Sequence, residues 1–302
     1  RFHNCGEEEM VKDVIVVDEK GLEKKIKAIK TDGSRKFHVL ADFDRTLTRA
    51  YVDGEKTPSL ISELRKRGYI SSDYSAKAQA LADHYHPIEI DPKISLDKKK
   101  KAMHEWWTKH FDLLIKSGFN KKHLETVINS GKIQFREGAL QFLDLLHYNV
   151  SGRVPIVIIS SSGLGDDSIR LFLEKYHRNY TDIQIVSNKY EWDDTGNAVG
   201  VRELIIHCMN KDESVLNESL WYKVLRDDLK SRRNVLLLGD NVEDIGMING
   251  FNYKNLIRVG FLNENVEQNL ERYKENFDVI ILNDGSMRYV NKLLDKIGVN
   301  KR

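Results

Sequence analysis

The sequence predicts an α/β fold in which a parallel β-sheet lies between two layers of helices and carries a smaller helical insertion. In the second half of the chain, short β-rich runs alternate with amphipathic helical patterns. Between residues 55 and 132, helical patterns instead follow one another without a strong strand signal. We therefore expect a three-layer, Rossmann-like core (residues 36–54 and 133–302), a helical cap (residues 55–132) and a polar N-terminal segment with one helix (residues 1–35).

Composition argues against several classes of protein. The chain has 302 residues, and its 48 Lys and Arg nearly balance 46 Asp and Glu, so nothing favours a nucleic acid polymer as partner. No apolar run approaches the roughly 20 residues that span a bilayer. The two cysteines, Cys5 and Cys208, are far apart, which predicts no disulfide framework and favours the cytoplasm. We expect a monomer with no membrane association, and, because the first residue is Arg1 rather than Met, a processed or truncated chain.

The elements follow in order along the chain. The run "GLEKKIKAIK" has helical spacing, and "KFHVLADFD" predicts the first buried strand. Amphipathic helices punctuated by glycine come next, in "PSLISELRKRG", "SAKAQALADHYH", "LDKKKKAMHEWWTKHFDLLIKSG" and "KKHLETVINSG". The predicted strands of the second half are "VPIVIISSSG", "DIQIVSN", "NVLLLGDN", "NLIRVGFL" and "DVIILND". Helical patterns such as "GALQFLDLLHYN", "DSIRLFLEKYH" and "NVEQNLERYKENF" separate them.

Polar residues follow three of the apolar runs, at the point where each run ends. Asp42 and Asp44 follow the first, the stretch 160–163 follows the second, and Asp240 follows the third. Ligands of open parallel sheets bind beyond the carboxyl ends of the strands. We therefore expect these residues to meet on one edge of the sheet, with the helical cap beside it.

Asp42 and Asp44 are the most informative pair. In an extended strand both would face the same side, and two carboxylates so close repel each other unless a cation intervenes. Oxygen ligands suit Mg²⁺, which commonly binds few protein carboxylates together with a substrate phosphate. Asp240 and Asp244 could supply a further ligand and a supporting carboxylate. An aspartate can also attack phosphorus and form an aspartyl-phosphate.

With these residues, "DFDRTLT" resembles the first motif of the haloacid dehalogenase superfamily, while "IVIISSSG" and "LLLGDNVED" resemble its second and fourth. The chain further resembles the cytosolic pyrimidine 5′-nucleotidase family (type III) over roughly residues 20 to 298. That resemblance is carried, in order, by "DFDRTLT", "HPIEIDP", "EWW", "FREG", "SSGLGD", "IVSN", "HCMNKDE" and "LLGDNVED".

The resemblance implies a role for each matching residue of the core. Asp42 would be the nucleophile, and Asp44 the acid that protonates the leaving oxygen and later activates water. Lys211 would neutralise phosphate charge, and Asp244 would orient Lys211 or metal-bound water. Mg²⁺ would be held by Asp42, by the backbone carbonyl of Asp44 and by Asp240. The fold implied is that of the superfamily core with an inserted cap.

Phosphate binding is predicted at Thr46, Ser161, Ser162 and Gly163. Thr46 would support the loop after the first strand. Three serines precede Gly163 here, whereas the family has a single small residue between its serine and its glycine. Counting back from Gly163 selects Ser161, and counting forward from the strand selects Ser160; we favour Ser161. Its hydroxyl, with the amides of Ser162 and Gly163, could form a phosphate-binding nest.

Glu89, Trp106 and Trp107 are the candidates for contact with the base. A carboxylate accepts hydrogen bonds from ring N–H and amine groups, and a tryptophan face stacks on a base, with a further gain if the base is cationic. Adjacent helical residues point about 100° apart, so we expect one tryptophan in the core and the other at the ligand. Family members that prefer CMP and UMP usually carry Tyr where Trp107 stands.

These observations predict a Mg²⁺-dependent 5′-nucleotidase that hydrolyses pyrimidine nucleoside 5′-monophosphates through an aspartyl-phosphate. The family also implies some transfer of phosphate to nucleoside acceptors. One alternative is a nucleotidase that prefers 7-methylguanosine monophosphate, and another is a phosphatase for a different small metabolite. A nucleotide-binding protein without turnover is the alternative from another class.

Overall fold

The computed structural model describes residues 13–202, 204–211 and 229–300, and over these residues it is a mixed α/β fold. The strands are β1 (Val14–Val16), β2 (Phe37–Ala41), β3 (Tyr51–Val52), β4 (Glu55–Lys56), β5 (Ile156–Ile159), β6 (Ile183–Val186), β7 (Tyr190–Trp192), β8 (Ala198–Val201), β9 (Asn234–Gly239), β10 (Asn255–Leu262) and β11 (Val279–Leu282). The α-helices are α1 (Glu19–Asp32), α2 (Leu60–Arg67), α3 (Ser72–Ile90), α4 (Leu96–Lys116), α5 (Lys121–Asn129), α6 (Ala139–His147), α7 (Gly165–Lys175), α8 (Val266–Asn276) and α9 (Arg288–Ile297). Single 3₁₀ segments cover Ser34–Lys36 and Val242–Gly250.

Seven strands form the central sheet, in the order β1-β11-β10-β9-β2-β5-β6. Every neighbouring pair is parallel except β1 and β11. Ala41, the last residue of β2, pairs with Leu238 of β9 on one side and with Ile158 of β5 on the other. The three strands that precede the predicted polar residues are therefore adjacent and end together, which confirms the predicted arrangement.

The central strands are buried on both faces. All residues of β2, β5 and β9 are buried, as expected for parallel strands covered by helices on both sides. Alternate residues contribute to different hydrophobic clusters: Val39 and Leu236 pack in one, and Leu40 and Leu237 in the other. This rigid double-sided core fixes the position of the residues that follow each strand.

The helices α2 to α5 occupy the segment predicted as the cap. Helix α3 packs against α4, and α5 packs against α7 of the core. Whether residues 55–132 form a separate domain stays a prediction. Within the part of the chain that the structure describes, no helix is long and apolar enough to cross a membrane.

Three short pieces of β-structure were not predicted. The edge strand β1 pairs antiparallel with β11, and the hairpins β3–β4 and β7–β8 lie outside the main sheet. Each of these strands has only two to four residues. So short a segment shows no hydrophobic periodicity, and its pairing is decided by the neighbouring strand rather than by its own sequence. Cys5 and the rest of residues 1–12 lie outside the described residues.

His38, in the middle of β2, predicts a pH-dependent stability. Burial lowers the pKa of His38 from 6.5 to about 4, and the neutral ring donates from Nδ1 to the Arg232 carbonyl at 2.8 Å. The unfolded chain binds a proton at this position more readily than the folded protein does. The contribution of His38 to the free energy of unfolding should therefore be complete above pH 6.5 and decline toward pH 4, by about 3 kcal/mol.

Urea unfolding of the wild type and of His38→Gln, each at about pH 7 and about pH 4.5, isolates the contribution of His38. Both proteins contain the same buried carboxylates, so the other pH dependences cancel in the difference. The wild type should lose more stability between the two pH values than the variant. Equal losses would show that His38 does not resist protonation in the folded state.

Candidate active site

The loop after β2 presents two aspartates at the edge of the sheet. The amide of Asp42 donates to the Leu238 carbonyl at 3.0 Å, which extends the pairing with β9 by one residue. Asp42 is 4% exposed. Thr46 is fully buried, and its hydroxyl donates to Asp42 Oδ2 at 3.2 Å. The hydroxyl of Thr46 therefore supports Asp42 in the loop after β2, as expected, and its predicted contact with phosphate stays a prediction.

Lys211 lies between Asp42 and Asp244. Its Nζ contacts Asp42 Oδ1 and donates to Asp244 Oδ1 at 3.0 Å, and the residue is 7% exposed. Burial alone would lower the pKa of Lys211, but the carboxylates of Asp244 and Asp42 more than offset it and raise that pKa above its usual value. The lysine is therefore a fixed positive charge beside Asp42.

Asp240 and Asp244 follow β9 and complete a carboxylate cluster with Asp42. The ligand atoms of the three residues lie within 4.8 Å of one another. Gly239 makes this approach possible, because a Cβ at that position would lie 2.6 Å from Asp244 Cβ. The amide of Asn241 donates to Asp244 Oδ2 at 3.1 Å. Both oxygens of Asp244 therefore have protein partners, which fits the predicted supporting role.

The cluster suits a divalent cation. Burial first, and then the charges of Asp42 and Asp244, raise the pKa of Asp240 well above its ordinary value. Among residues 13–202, 204–211 and 229–300, Asp240 forms no ion pair with a side chain. The three carboxylates carry more negative charge than Lys211 alone can balance. Their oxygens are the hard ligands that Mg²⁺ prefers. Asp42 and Asp240 are the residues that would hold such an ion, together with the Asp44 carbonyl.

Asp44 differs from Asp42 in its surroundings. Burial raises the pKa of the Asp44 carboxyl, and the charges of Arg45 and Lys211 only partly oppose that effect. In the described part of the chain, no group donates a hydrogen bond to this carboxyl. A carboxyl with a raised pKa and no protein partner could give a proton to a leaving group.

The serines after β5 separate into buried and cavity-facing positions. Ser160 is 1% exposed, and its hydroxyl accepts from the Ser162 amide at 3.2 Å. Ser162 is also buried and its hydroxyl accepts from the Leu164 amide at 3.3 Å. Ser161 is half-buried and lines a cavity. The geometry favours Ser161 over Ser160 for phosphate contact, while Ser162 shapes the turn.

Gly163 joins this turn to the cap. A Cβ at this position would lie 2.5 Å from the Trp107 ring and 3.0 Å from Ile61 Cβ. The Gly163 carbonyl accepts from the Tyr190 hydroxyl at 2.7 Å. The absence of a side chain therefore allows the cap tryptophan to pack directly on the turn. The sequence predicted phosphate binding at Gly163, but it did not predict this contact with Trp107.

A cavity of about 580 Å³ runs from Arg45 and Ser161 into the helical cap. Both Trp106 and Trp107 line it. Trp106 is 8% exposed and also packs in a hydrophobic cluster, whereas Trp107 is half-buried, so the expected division between a core and a ligand position is seen in part. The two indoles belong to a continuous stack of rings. Successive interplanar angles are 12° from Tyr85 to Trp106, 17° from Trp106 to Trp107 and 17° from Trp107 to His110. Because the rings are nearly parallel, the two tryptophans can border one space despite their different helical directions.

The cavity also carries two carboxylates. Glu89, near the end of α3, and Asp83, almost two turns earlier, both line it. Pro87 interrupts the hydrogen-bond pattern of α3 just before Glu89. The Lys99 ammonium donates to the Glu89 carbonyl at 2.7 Å and so satisfies a terminal carbonyl of the helix. Asp83 was not among the predicted base contacts.

Arg136 is a further residue whose contribution to the site was missed. It is 1% exposed and donates to the carbonyls of Thr46 and Arg45 and to Asn263 Oδ1 at 3.0 Å. Arg45 has a φ of 59°, an uncommon conformation for a residue with a side chain. Arg136 therefore stabilises the tight turn that follows Asp44. No local pattern signals such a contact, because it joins residues about 90 positions apart.

A family model for pyrimidine 5′-nucleotidase (UMPH-1) matches residues 45–298. A 7-methylguanosine phosphate-specific 5′-nucleotidase B from Xenopus laevis is 34% identical over 280 residues, covering 92% of this chain and 93% of that protein. The corresponding human 7-methylguanosine phosphate-specific 5′-nucleotidase is 33% identical over 273 residues, covering 89% of this chain and 87% of that protein.

The fold is similar to that of a solved nucleotidase. The crystal structure of cytosolic 5′-nucleotidase IIIB bound to cytidine superposes with a TM-score of 0.83 at 26% identity, covering 94% of this chain and 93% of that one. A haloacid dehalogenase family hydrolase from Salmonella enterica serovar Typhi shares the fold more distantly. Its TM-score is 0.53 at 15% identity, over 87% of this chain and 71% of that one.

Proposed function

Because the chain belongs to the pyrimidine 5′-nucleotidase family of the haloacid dehalogenase superfamily, it is a 5′-nucleotidase, and we propose that it prefers 7-methylguanosine monophosphate over CMP and UMP. The observation that carries this preference is the cavity with two stacked tryptophans and two carboxylates. The methylated guanine is cationic, so it gains both from stacking on an indole and from a nearby negative charge. The names of the relatives from Xenopus and human point to the same substrate.

Asp42 is the proposed nucleophile. Its hydrogen bond from Thr46 and its contact with Lys211 hold the carboxylate at the end of β2. Attack on phosphorus forms a bond to an Asp42 oxygen and breaks the bond to the 5′-oxygen of the nucleoside. Lys211 offsets the repulsion between this carboxylate and the phosphate dianion. A bound Mg²⁺ would supply further charge neutralisation at Asp42 and Asp240.

Asp44 is the proposed acid and base. Its proton goes to the departing 5′-oxygen in the first step, so a pKa raised by burial favours that step. The carboxylate left behind then removes a proton from the water that attacks the aspartyl-phosphate. Ser161, which lines the cavity, would contact the phosphate. The cap cavity holds the base while these steps take place.

CMP is the second candidate substrate. The solved relative with a TM-score of 0.83 contains cytidine, and the exocyclic amine of cytosine can donate to a carboxylate such as Glu89. UMP presents a carbonyl at that position and should bind less well. We further propose a cytosolic location, because related proteins are named as cytosolic nucleotidases. The monomeric state stays a prediction. Transfer of phosphate to nucleosides stays a prediction.

The test is a comparison of kcat/KM for 7-methylguanosine monophosphate, GMP, CMP, UMP, dTMP and AMP, with Mg²⁺ and with EDTA. We expect the methylated nucleotide to exceed GMP by at least about tenfold, since the two differ in charge on the base. Activity should disappear with EDTA and return when Mg²⁺ is restored.

Trp107→Tyr is the matched variant, because it keeps an aromatic face but reduces the stacking surface. It should lower kcat/KM for the methylated nucleotide more than for CMP. A preference for AMP or a sugar phosphate would contradict the proposed substrate, and binding without phosphate release would indicate a protein that has lost turnover.

A further inference from the structure

The carboxylate of Glu89 is held at both oxygens. His86, one helical turn earlier in α3, lies with Nδ1 3.0 Å from Oε2. The Cys208 thiol donates to Oε1, with Sγ at 2.9 Å. Cys208 is 119 residues away in sequence and lies outside the segment predicted as the cap. A long, flexible glutamate side chain is thereby restricted to one orientation at the cavity wall.

Cys208 lies in a turn that is itself firmly fixed. Asn188 donates to the Ile206 carbonyl at 2.9 Å and accepts from the Ile206 amide at 2.8 Å. The His207 amide donates to the Asn210 side chain at 2.7 Å. Lys211, which contacts Asp42, is the next residue after this turn. The thiol therefore joins the carboxylate of the cap to the segment that carries the lysine of the active site.

The chemistry of Cys208 fits a hydrogen-bond donor. Burial first, and then the charge of Glu89, raise the pKa of the Cys208 thiol well above its ordinary value. The thiol stays protonated at neutral pH and can donate to the carboxylate continuously. A protonated thiol is also a weak nucleophile, which argues against a reactive or redox role.

We infer that Cys208 is a positioning residue: its thiol fixes the Glu89 carboxylate for base recognition and connects the cap to the turn that carries Lys211. The inference rests on the proposed function, in which Glu89 contacts the base. Since the carboxylate has about four lone-pair sites, Cys208 and His86 leave two for hydrogen bonds from the base. Without the thiol, the carboxylate can rotate away, and nucleotide binding weakens before the chemistry does.

The experiment compares KM and kcat for Cys208→Ala, Cys208→Val and Cys208→Ser. Loss of one hydrogen bond to a charged group should raise KM for 7-methylguanosine monophosphate and CMP about three- to tenfold in the Ala and Val variants. Their kcat should change less than about twofold, because the reacting groups remain in place. Cys208→Ser keeps a donor and should restore KM to near the wild-type value. The valine side chain is slightly larger than that of cysteine and has no donor, so cavity formation does not explain its effect.

Two controls separate positioning from a general structural effect. Hydrolysis of p-nitrophenyl phosphate, which has no nucleobase, should be unaffected in all three variants. Lys77→Ala removes an exposed ion pair with Asp73 on the same helix and should leave every KM unchanged. In a Glu89→Gln background, Cys208→Ala should add little, since the two residues act through one contact.

The inference is overturned if Cys208→Ala leaves nucleotide KM unchanged while Glu89→Gln raises it. It is also overturned if the Ala variant loses as much activity on the base-free ester as on nucleotides, because the thiol would then act through Lys211 alone. If Glu89→Gln itself leaves nucleotide KM unchanged, the proposed base recognition fails as well. Absence of phosphate release from every nucleotide by the wild type would contradict the proposed function instead.

Discussion

Replacement of Asp42 by Asn should abolish hydrolysis of every nucleotide while leaving the fold intact. A neutral carboxamide cannot form the bond to phosphorus, so kcat should fall by about 10⁵-fold, the scale expected for removal of a covalent nucleophile. Burial opposes ionisation of Asp42, which is why its pKa is raised despite the contact with Lys211. Neutralising the group therefore relieves part of that cost, and Lys211 keeps its partner Asp244 at 3.0 Å.

The measurement combines phosphate release with thermal unfolding. The Asn variant should unfold at a temperature close to that of the wild type, so that loss of activity is not loss of structure. Asp73→Asn, on an exposed position of α3, is the control and should keep full activity. Acid quenching during turnover should trap a phosphorylated wild-type protein and no phosphorylated Asp42→Asn. A kcat of Asp42→Asn above about a hundredth of the wild-type value would contradict the assignment of Asp42 as the nucleophile.

The central strands of the sheet could be predicted because they are continuous apolar runs buried on both faces. Continuous apolar runs such as that of β9 need no tertiary information to be recognised, and the residues after them must lie at one edge of a parallel sheet. That argument placed Asp42 and Asp240 together correctly. It could not predict β1 or the small hairpins, whose pairing depends on neighbours distant in sequence.

The site beyond the strand ends could be predicted only in part. Lys211 lies 169 residues from Asp42 on a turn without periodicity, and only the resemblance to a known family pointed to it. The contacts of Arg136 with the first loop and of Cys208 with Glu89 also join distant segments, about 90 and 119 residues apart. Sequence patterns depend on local spacing, so they do not predict contacts between side chains of different loops before the fold is known.

The expectation for the tryptophans agrees with the structure in part. Helical geometry separates the directions of Trp106 and Trp107, and Trp106 is the more buried of the two. Helical geometry does not include Tyr85 and His110, which extend the stack on either side, and both indoles line the cavity.

Asp44→Asn should have the second largest effect, and its size should depend on the leaving group. For a nucleoside 5′-monophosphate, the departing alkoxide needs a proton, so loss of the acid should reduce kcat by about 10²- to 10⁴-fold. A p-nitrophenolate leaves without protonation. The first step with p-nitrophenyl phosphate should therefore be nearly unchanged in the variant, although the second step, which needs the Asp44 carboxylate as a base, should remain slow.

This combination predicts a burst. Stopped-flow mixing of Asp44→Asn with p-nitrophenyl phosphate should release about one equivalent of p-nitrophenol per active site quickly and then turn over slowly, as the aspartyl-phosphate accumulates on Asp42. The same variant should show no burst of nucleoside from CMP. Because Asn preserves the size of the side chain and only removes the proton, a merely structural role for Asp44 would slow the first step with both substrates equally. Equal slowing with both substrates would show that another group is the acid. A burst with p-nitrophenyl phosphate alone would show that Asp44 donates the proton to the leaving group.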